Sequence, residues 1–433
     1  MKFYSLNKKS PKASFEEAVI NGIAPDKGLY FPEKIRTLSK SFFDNIDQFD
    51  NCEIAYQMIK QFVGDEIPEE SLRSIIKDTL NFDFPLVNIE KDIYTLELFH
   101  GPTMAFKDVG ARFMARCLAY FNRNHNHEVT VLVATSGDTG GAVASGFLGV
   151  KGVNVVILYP SGKVSNVQEK QLTTLGLNIK ALEVDGTFDD CQEMVKDAFM
   201  DTDITDKIKL TSANSINIAR WLPQMFYFVF AFKQLSNKTK KLIFSIPSGN
   251  FGNICAGMMA HKLGLPVGQF VASTNANAVV PVYLETEKYN PIRSIQTISN
   301  AMDVGAPSNF VRIQEMYKNN FKRLKKHLHS YSFTDYETRD AILSIYRKDH
   351  YIADPHGAVG YLGLKKYMES SKNCQGIFLE TAHPVKFLEV IEPVIKKSIE
   401  FPQQIKEVID KKKEARFIST YDELKAFLLA DNL

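Results

Sequence analysis

The sequence has a single tryptophan, no Cys-x-x-Cys pair and no long apolar run, and each scarcity removes a class of function. Its five cysteines (Cys52, Cys117, Cys191, Cys255, Cys374) are scattered along 433 residues. That spacing excludes a zinc ribbon or a disulfide framework and points to buried thiols in a reducing, cytoplasmic compartment. The longest apolar run, residues 225–232, is far shorter than the roughly 20 residues a membrane-spanning helix needs, so no membrane partner is expected. Residues 1–5 carry no apolar stretch or cleavage pattern, and a secretory leader is not expected either. Charge of one sign is also missing. The 52 basic and 50 acidic side chains leave a formal charge of +2, without the concentrated basic face that nucleic acid demands. A hydrophobic fraction of 45% against 24% charged excludes disorder. The length suggests two or three domains, and the whole reads as an enzyme of small molecules.

What is present begins with a mostly helical stretch from residue 15 to about 92. Ser14 caps its first helix, Pro68 and Ser71 lead another, and residues 25–32 form a turn between them. The texture then changes. Apolar runs without polar alternation at 129–134, 153–159, 242–246, 269–273 and 376–380 each stop at a turn or loop. Such runs indicate strands covered on both faces, so the sheets are expected to be parallel and the class α/β. The tail from about residue 391 is helical and lysine-rich.

Two strand-to-helix junctions share one physical design. Glycines let the backbone turn and approach a ligand, and the helix that follows offers unpaired N–H groups and a positive dipole end to an anion. Ser248-Gly249-Asn250-Phe251-Gly252-Asn253 fits that design for a phosphate. Thr135-Ser136-Gly137-Asp138-Thr139-Gly140-Gly141 fits it with hydroxyls that also suit a carboxylate. Neither has Walker or dinucleotide spacing, and either one alone reads equally as a plain turn. The third piece is Lys107, after a Gly-Pro turn and beside Phe106. Apolar burial lowers an amine's pKa and makes it a usable nucleophile and base, although a helix-start lysine beside Asp108 is the plainer reading of that residue by itself. Together, a reactive lysine, a phosphate cup and a hydroxyl-rich loop are what pyridoxal phosphate requires.

The motifs then give a resemblance over nearly the whole chain. They are residues 15–19 with 26–32, His100-Gly101-Pro102-Thr103 through Lys107-Asp108, and the loop at 135–141. Ser212-Ala213-Asn214-Ser215-Ile216-Asn217, the cup at 249–253 and Thr381-Ala382-His383-Pro384 follow in order. The sequence resembles the threonine synthases, in the longer subclass with an N-terminal extension, of the fold type II pyridoxal phosphate enzymes. Lys27 stands where that subclass more often has glycine. The resemblance implies a tryptophan synthase β-like fold, with two parallel α/β domains and a helical N-terminal extension. It implies boundaries at 1–95 for the extension, 96–390 for the catalytic core and 391–433 for the tail, with a smaller mobile domain at about 129–211.

The resemblance also implies roles. Lys107 holds the cofactor covalently and shuttles protons. Gly249, Asn250, Phe251, Gly252 and Asn253 bind the cofactor phosphate, and Thr381 faces the pyridine nitrogen. Asp138 lies beside the ring's phenolic oxygen, where shorter relatives carry asparagine; an ionised aspartate cannot donate there. Thr135, Ser136 and Thr139 bind the substrate's α-carboxylate. Asn214, Ser215 and Arg220 bind its phosphate, and Lys163, with Gln168, closes over the anion.

The implied reaction turns O-phospho-L-homoserine and water into L-threonine and phosphate by γ-elimination and β-addition. The rivals are a lyase of phosphohomoserine or phosphothreonine releasing 2-oxobutyrate, and an idle amino-acid-binding relative. Dehydratases and thiol-adding enzymes of the same fold need no second phosphate site, so residues 214–220 argue against them. Monomer and homodimer are both left open. His125 and His127 lack metal-ligand spacing, so no metal is expected. Residues 323–327 read as a solvated basic face, and 225–232 as a core helix. His356 and His383 are given no catalytic role.

Overall fold

The computed structural model of the chain describes residues 1–123 and 128–430. Two sheets organise it. The larger has six strands in the order Leu328–Ser332, Gln269–Thr274, Lys241–Pro247, Cys374–Glu380, Ile93–Glu97, Leu86–Glu90. All of its neighbours run parallel except the last pair, an antiparallel hairpin. The smaller sheet is wholly parallel, in the order Arg416–Ile418, Ile179–Val184, Val153–Pro160, Val129–Ala134, Lys209–Ser212. Val129–Ala134, Gln269–Thr274 and Cys374–Glu380 are buried at every residue, as unalternating apolar runs require when helices cover both faces.

The N-terminal region supplies helices Phe15–Asn21, Asn51–Val63 and Glu69–Thr79. Ser14 and Glu17 form the reciprocal cap that starts the first of them. The turn expected at 25–32 is only half turn, because Tyr30–Pro32 pairs antiparallel with Phe3–Ser5. Lys27 sits at φ +65°, in the left-handed region. That conformation costs a side-chain-bearing residue roughly 1–2 kcal/mol, a cost that glycine would not carry.

The tail also differs from expectation. It contains helices Gln403–Ile409 and Tyr421–Leu428, but Arg416–Ile418 between them lies parallel to Ile179–Val184 and extends the small sheet. Three residues are too few to show a period of two in the sequence.

The aromatic run is the core helix expected, with residues 225–232 of Met225–Gln234 all buried. Lys322, Arg323 and Lys325 of Phe321–Lys325 face outward around buried Leu324. All five cysteines are unpaired. Among the described residues no helix is long and apolar enough to cross a membrane. His125 and His127 lie outside the described residues.

Candidate active site

The carboxyl ends of strands from both sheets converge on one cavity of about 100 Å³, the position where parallel α/β sheets place ligands. Lys107, Ser136, Thr139, Asn214, Ser215, Arg220, the whole segment 249–253 and Thr381 line it. Eight parts of the sequence reading separated by up to 274 positions thus meet at one wall (107 to 381). A larger cleft of about 720 Å³ adjoins the cavity and shares Ser136, Phe188, Asn300 and Asp303 with it.

Lys107 opens the helix Lys107–Asn122. The turn before it is locked by the Phe106 N–H donating to the Thr381 carbonyl at 2.9 Å and by a bridge between Ala105 and Ala382. Buried Asp108 ties the same turn down, accepting from Thr103 N at 2.9 Å and Thr103 Oγ1 at 2.5 Å. The Lys107 amine lies 5.4 Å from the Phe106 ring centre. Burial lowers its pKa to about 8; Asp138 opposes that shift, and Lys386 and Arg220 add to it.

The segment 248–253 leaves the strand Lys241–Pro247 and enters the helix Gly252–Lys262, with Phe251 at φ +60°. Among the described residues, none of the five backbone N–H groups from Gly249 to Asn253 has a protein acceptor. A Cβ on Gly249 would lie 2.7 Å from Met302 Cα and 2.8 Å from the Ala301 carbonyl, so only glycine lets the cup close. Asn253 turns its side chain back to the Pro247 carbonyl at 2.9 Å and leaves its own N–H to the cup.

Arg220 is buried on the helix Ile218–Trp221. It donates from Nη1 to the Ala213 carbonyl at 2.5 Å, while its Nε has no partner. Burial lowers its pKa to about 10, so the guanidinium stays charged at neutral pH. Unpaired buried donors are costly, and an anion is what relieves them.

Three expected residues are placed differently. Thr135 is fully buried behind the wall, and its Oγ1 accepts from the N–H groups of Gly137 (3.0 Å) and Gly140 (2.8 Å). It holds the loop that presents Ser136 and Thr139, with Gly137 at φ +134°. Asp138 is also behind the wall, in a buried ion pair with Lys386 at 2.8 Å and accepting from Gln168 Nε2 at 3.0 Å. Burial alone would raise its carboxyl; Lys386 and Lys107 outweigh burial and hold it well below the usual carboxylate range. Lys163 is exposed on the larger cleft.

These features fit pyridoxal phosphate. The orphan N–H groups suit its phosphate, the depressed amine its aldehyde, and the guanidinium with its unpartnered Nε a further anion. Family profiles agree. One described as pyridoxal-phosphate dependent enzyme matches residues 84–376, one described as threonine synthase N terminus matches 2–80, and one described as threonine synthase, C-terminal, matches 357–428. The threonine synthase of Buchnera aphidicola from Acyrthosiphon pisum is 42% identical over 432 residues, spanning 99% of this chain and 100% of its own length. The chain belongs to the threonine synthase family.

The threonine synthase crystal structure from Escherichia coli superimposes with a TM-score of 0.94 at 39% identity, over 99% of both chains. That of Brucella melitensis, described as PLP bound, gives 0.92 at 31% identity over 99% of this chain and 98% of its own. The expected fold type II architecture is therefore the one present, and the chain is a pyridoxal-phosphate-dependent lyase of this family.

Within this threonine synthase fold, the sequence reading missed Lys386. It follows Thr381-Ala382-His383-Pro384 and sits between Val385 and Phe387, the same apolar flanking after a proline turn that drew attention to Lys107. His356 lines the cavity as well. Its Nδ1 is 2.6 Å from buried Asp354, and its Nε2 accepts from the Ala301 N–H at 3.2 Å, which fixes the loop above Gly249. His383 is structural, accepting from the Val385 N–H at 3.1 Å.

Proposed function

We propose that the chain forms L-threonine and inorganic phosphate from O-phospho-L-homoserine and water, with pyridoxal phosphate held on Lys107. When bound, that cofactor supplies an electron sink that makes protons at the substrate's Cα and Cβ acidic. Lys107 does the proton work: with an amine near 8, it takes the Cα proton at neutral pH and returns a proton at Cγ. The N–H groups of 249–253 hold the cofactor's phosphate, and Thr381 faces its ring nitrogen with a neutral hydroxyl. Asp138, kept ionised by Lys386, acts from behind the wall, by holding the loop of Ser136 and Thr139 and by its charge near Lys107. Ser136 and Thr139 hold the α-carboxylate, on a loop that Thr135 braces from behind. Asn214, Ser215 and Arg220 receive the departing γ-phosphate, which a guanidinium binds through two parallel hydrogen bonds. Lys163 guards the outer cleft, and the unit built on residues about 129–211 closes over the substrate. The five free thiols support a cytoplasmic location.

One observation carries the reading. A single cavity holds two separate sets of anion donors together with a lysine of depressed pKa. An amino acid without a phosphate would leave the second set buried and unpaired. The test is incubation of the purified holoenzyme with O-phospho-L-homoserine, following threonine, phosphate and 2-oxobutyrate separately. Threonine and phosphate in equal amounts are expected; 2-oxobutyrate in place of threonine would move the chain to the phospho-lyase reading.

A further inference from the structure

Arg312 is fully buried, and its recorded partners are all neutral oxygens. Nε and Nη2 donate to the Tyr30 carbonyl at 3.3 and 3.1 Å, and Nη2 also to the Ile216 carbonyl at 2.6 Å. Nη1 donates to the Ser215 carbonyl at 3.4 Å and to Asn309 Oδ1 at 2.7 Å. Its guanidinium lies over the Trp221 ring, 4.4 Å from the centre. With every N–H engaged, Arg312 has no donor left for a ligand, and its effect passes through its neighbours.

That effect is a chain of forced orientations. A guanidinium has no acceptor, so the Asn309 atom facing Nη1 must be the carbonyl oxygen. Asn309 Nδ2 therefore points at Ser215 Oγ, 3.1 Å away. Asn250 is fixed by the same logic. Its Oδ1 accepts from the Ser308 N–H at 2.7 Å, which leaves its Nδ2 donating to the same Ser215 Oγ at 3.2 Å. A serine hydroxyl has two lone pairs and one proton. Both lone pairs are taken, and among the described residues the proton has no acceptor. Ser215 lines the cavity, so that proton is left for a ligand. Arg312 also grips the Ser215 and Ile216 carbonyls, keeping acceptors away from an incoming anion.

We propose that Arg312 and Asn309 are positioning residues that lock Ser215 as a hydrogen-bond donor to the substrate's γ-phosphate. The inference rests on the assignment of Ser215 to that phosphate. Its consequence is selectivity for a group that only accepts, because a γ-substituent presenting a donor meets a hydroxyl that cannot turn.

The test is a double-mutant cycle on the holoenzyme, read as competitive inhibition by inorganic phosphate and as KM for O-phospho-L-homoserine. Asn309→Ala is expected to weaken phosphate binding about five- to tenfold, somewhat less than a full hydrogen bond to a charged group. kcat and the cofactor's visible absorbance should change little. In the Ser215→Ala background the same substitution should have almost no effect, since the hydroxyl it orients is gone. Asn309→Asp, which keeps the shape and pairs with Arg312, offers Ser215 an acceptor instead. Its loss should be larger with Ser215 present than with Ser215→Ala. Equal losses in the two backgrounds would overturn the relay while leaving Ser215's own role intact. If Ser215→Ala by itself leaves phosphate inhibition unchanged, the anion assignment falls and the relay with it.

Discussion

The Lys386 ammonium donates to the Asp138 carboxylate at 2.8 Å, and both side chains are almost wholly shielded from solvent. They lie 248 positions apart and join the first turn of Asp138–Phe147 to the segment after Thr381. Removing one partner of such a pair strands a buried charge, at a cost of about 3–5 kcal/mol. Lys386→Met is therefore expected to destabilise the protein by about that amount in urea unfolding, and Asp138→Asn added to it should recover much of the loss. Recovery follows only if the stranded charge is the cause. The folded carboxyl value lies below the ordinary one, so this contribution is intact above about pH 4 and fades only in stronger acid.

Lys107 carries its own pH signature. Only the neutral amine attacks an aldehyde, and its pKa is lowered to about 8 by burial. Capture of pyridoxal phosphate by protein stripped of cofactor should accelerate with pH and reach half its limit near pH 8. A midpoint near that of a solvated lysine, about 10.4, would show that the amine is not desolvated.

In the proposed reaction Arg220 is the strongest donor of the second anion set. Arg220→Ala should raise KM for O-phospho-L-homoserine about ten- to hundredfold, the worth of hydrogen bonds to a charged group. The cofactor spectrum should persist. Arg220→Lys should recover little, because an ammonium cannot reproduce the planar fork. Unchanged kinetics in the alanine variant would remove Arg220 from the phosphate.

Gly249 tests the cup. A methyl group there meets the backbone of Ala301 and Met302, which cannot swing aside as a side chain can. Gly249→Ala should weaken cofactor retention about tenfold or more, within the usual cost of overpacking, as measured by dialysis and absorbance. Full retention would mean that the loop at 301–302 yields freely.

The sequence was legible where one feature is local and contiguous. The strands at 129–134 and 376–380 announce themselves because burial on both faces demands unbroken apolar runs. The cup at 249–253 is legible because glycines at a strand-to-helix junction are a local feature, whereas the part expected of 214–220 rests only on the family resemblance. Thr135 and Ser136 are alike in sequence, and nothing local says that two N–H groups, of Gly137 and Gly140, claim the first hydroxyl and leave the second free. The Asp138–Lys386 pair and the Arg312 relay are hidden for another reason. Each is made by elements far apart in the chain, and a fully buried arginine in Phe310–Met316 looks in sequence like a solvated one.

Lys107 lines this cavity and Lys386 lines the larger cleft beside it, and only Lys107 is assigned the cofactor. Borohydride reduction of the holoenzyme followed by peptide mass mapping decides between them. The pyridoxyl label should be found on Lys107 alone. A label on Lys386, or none on either, would contradict the account.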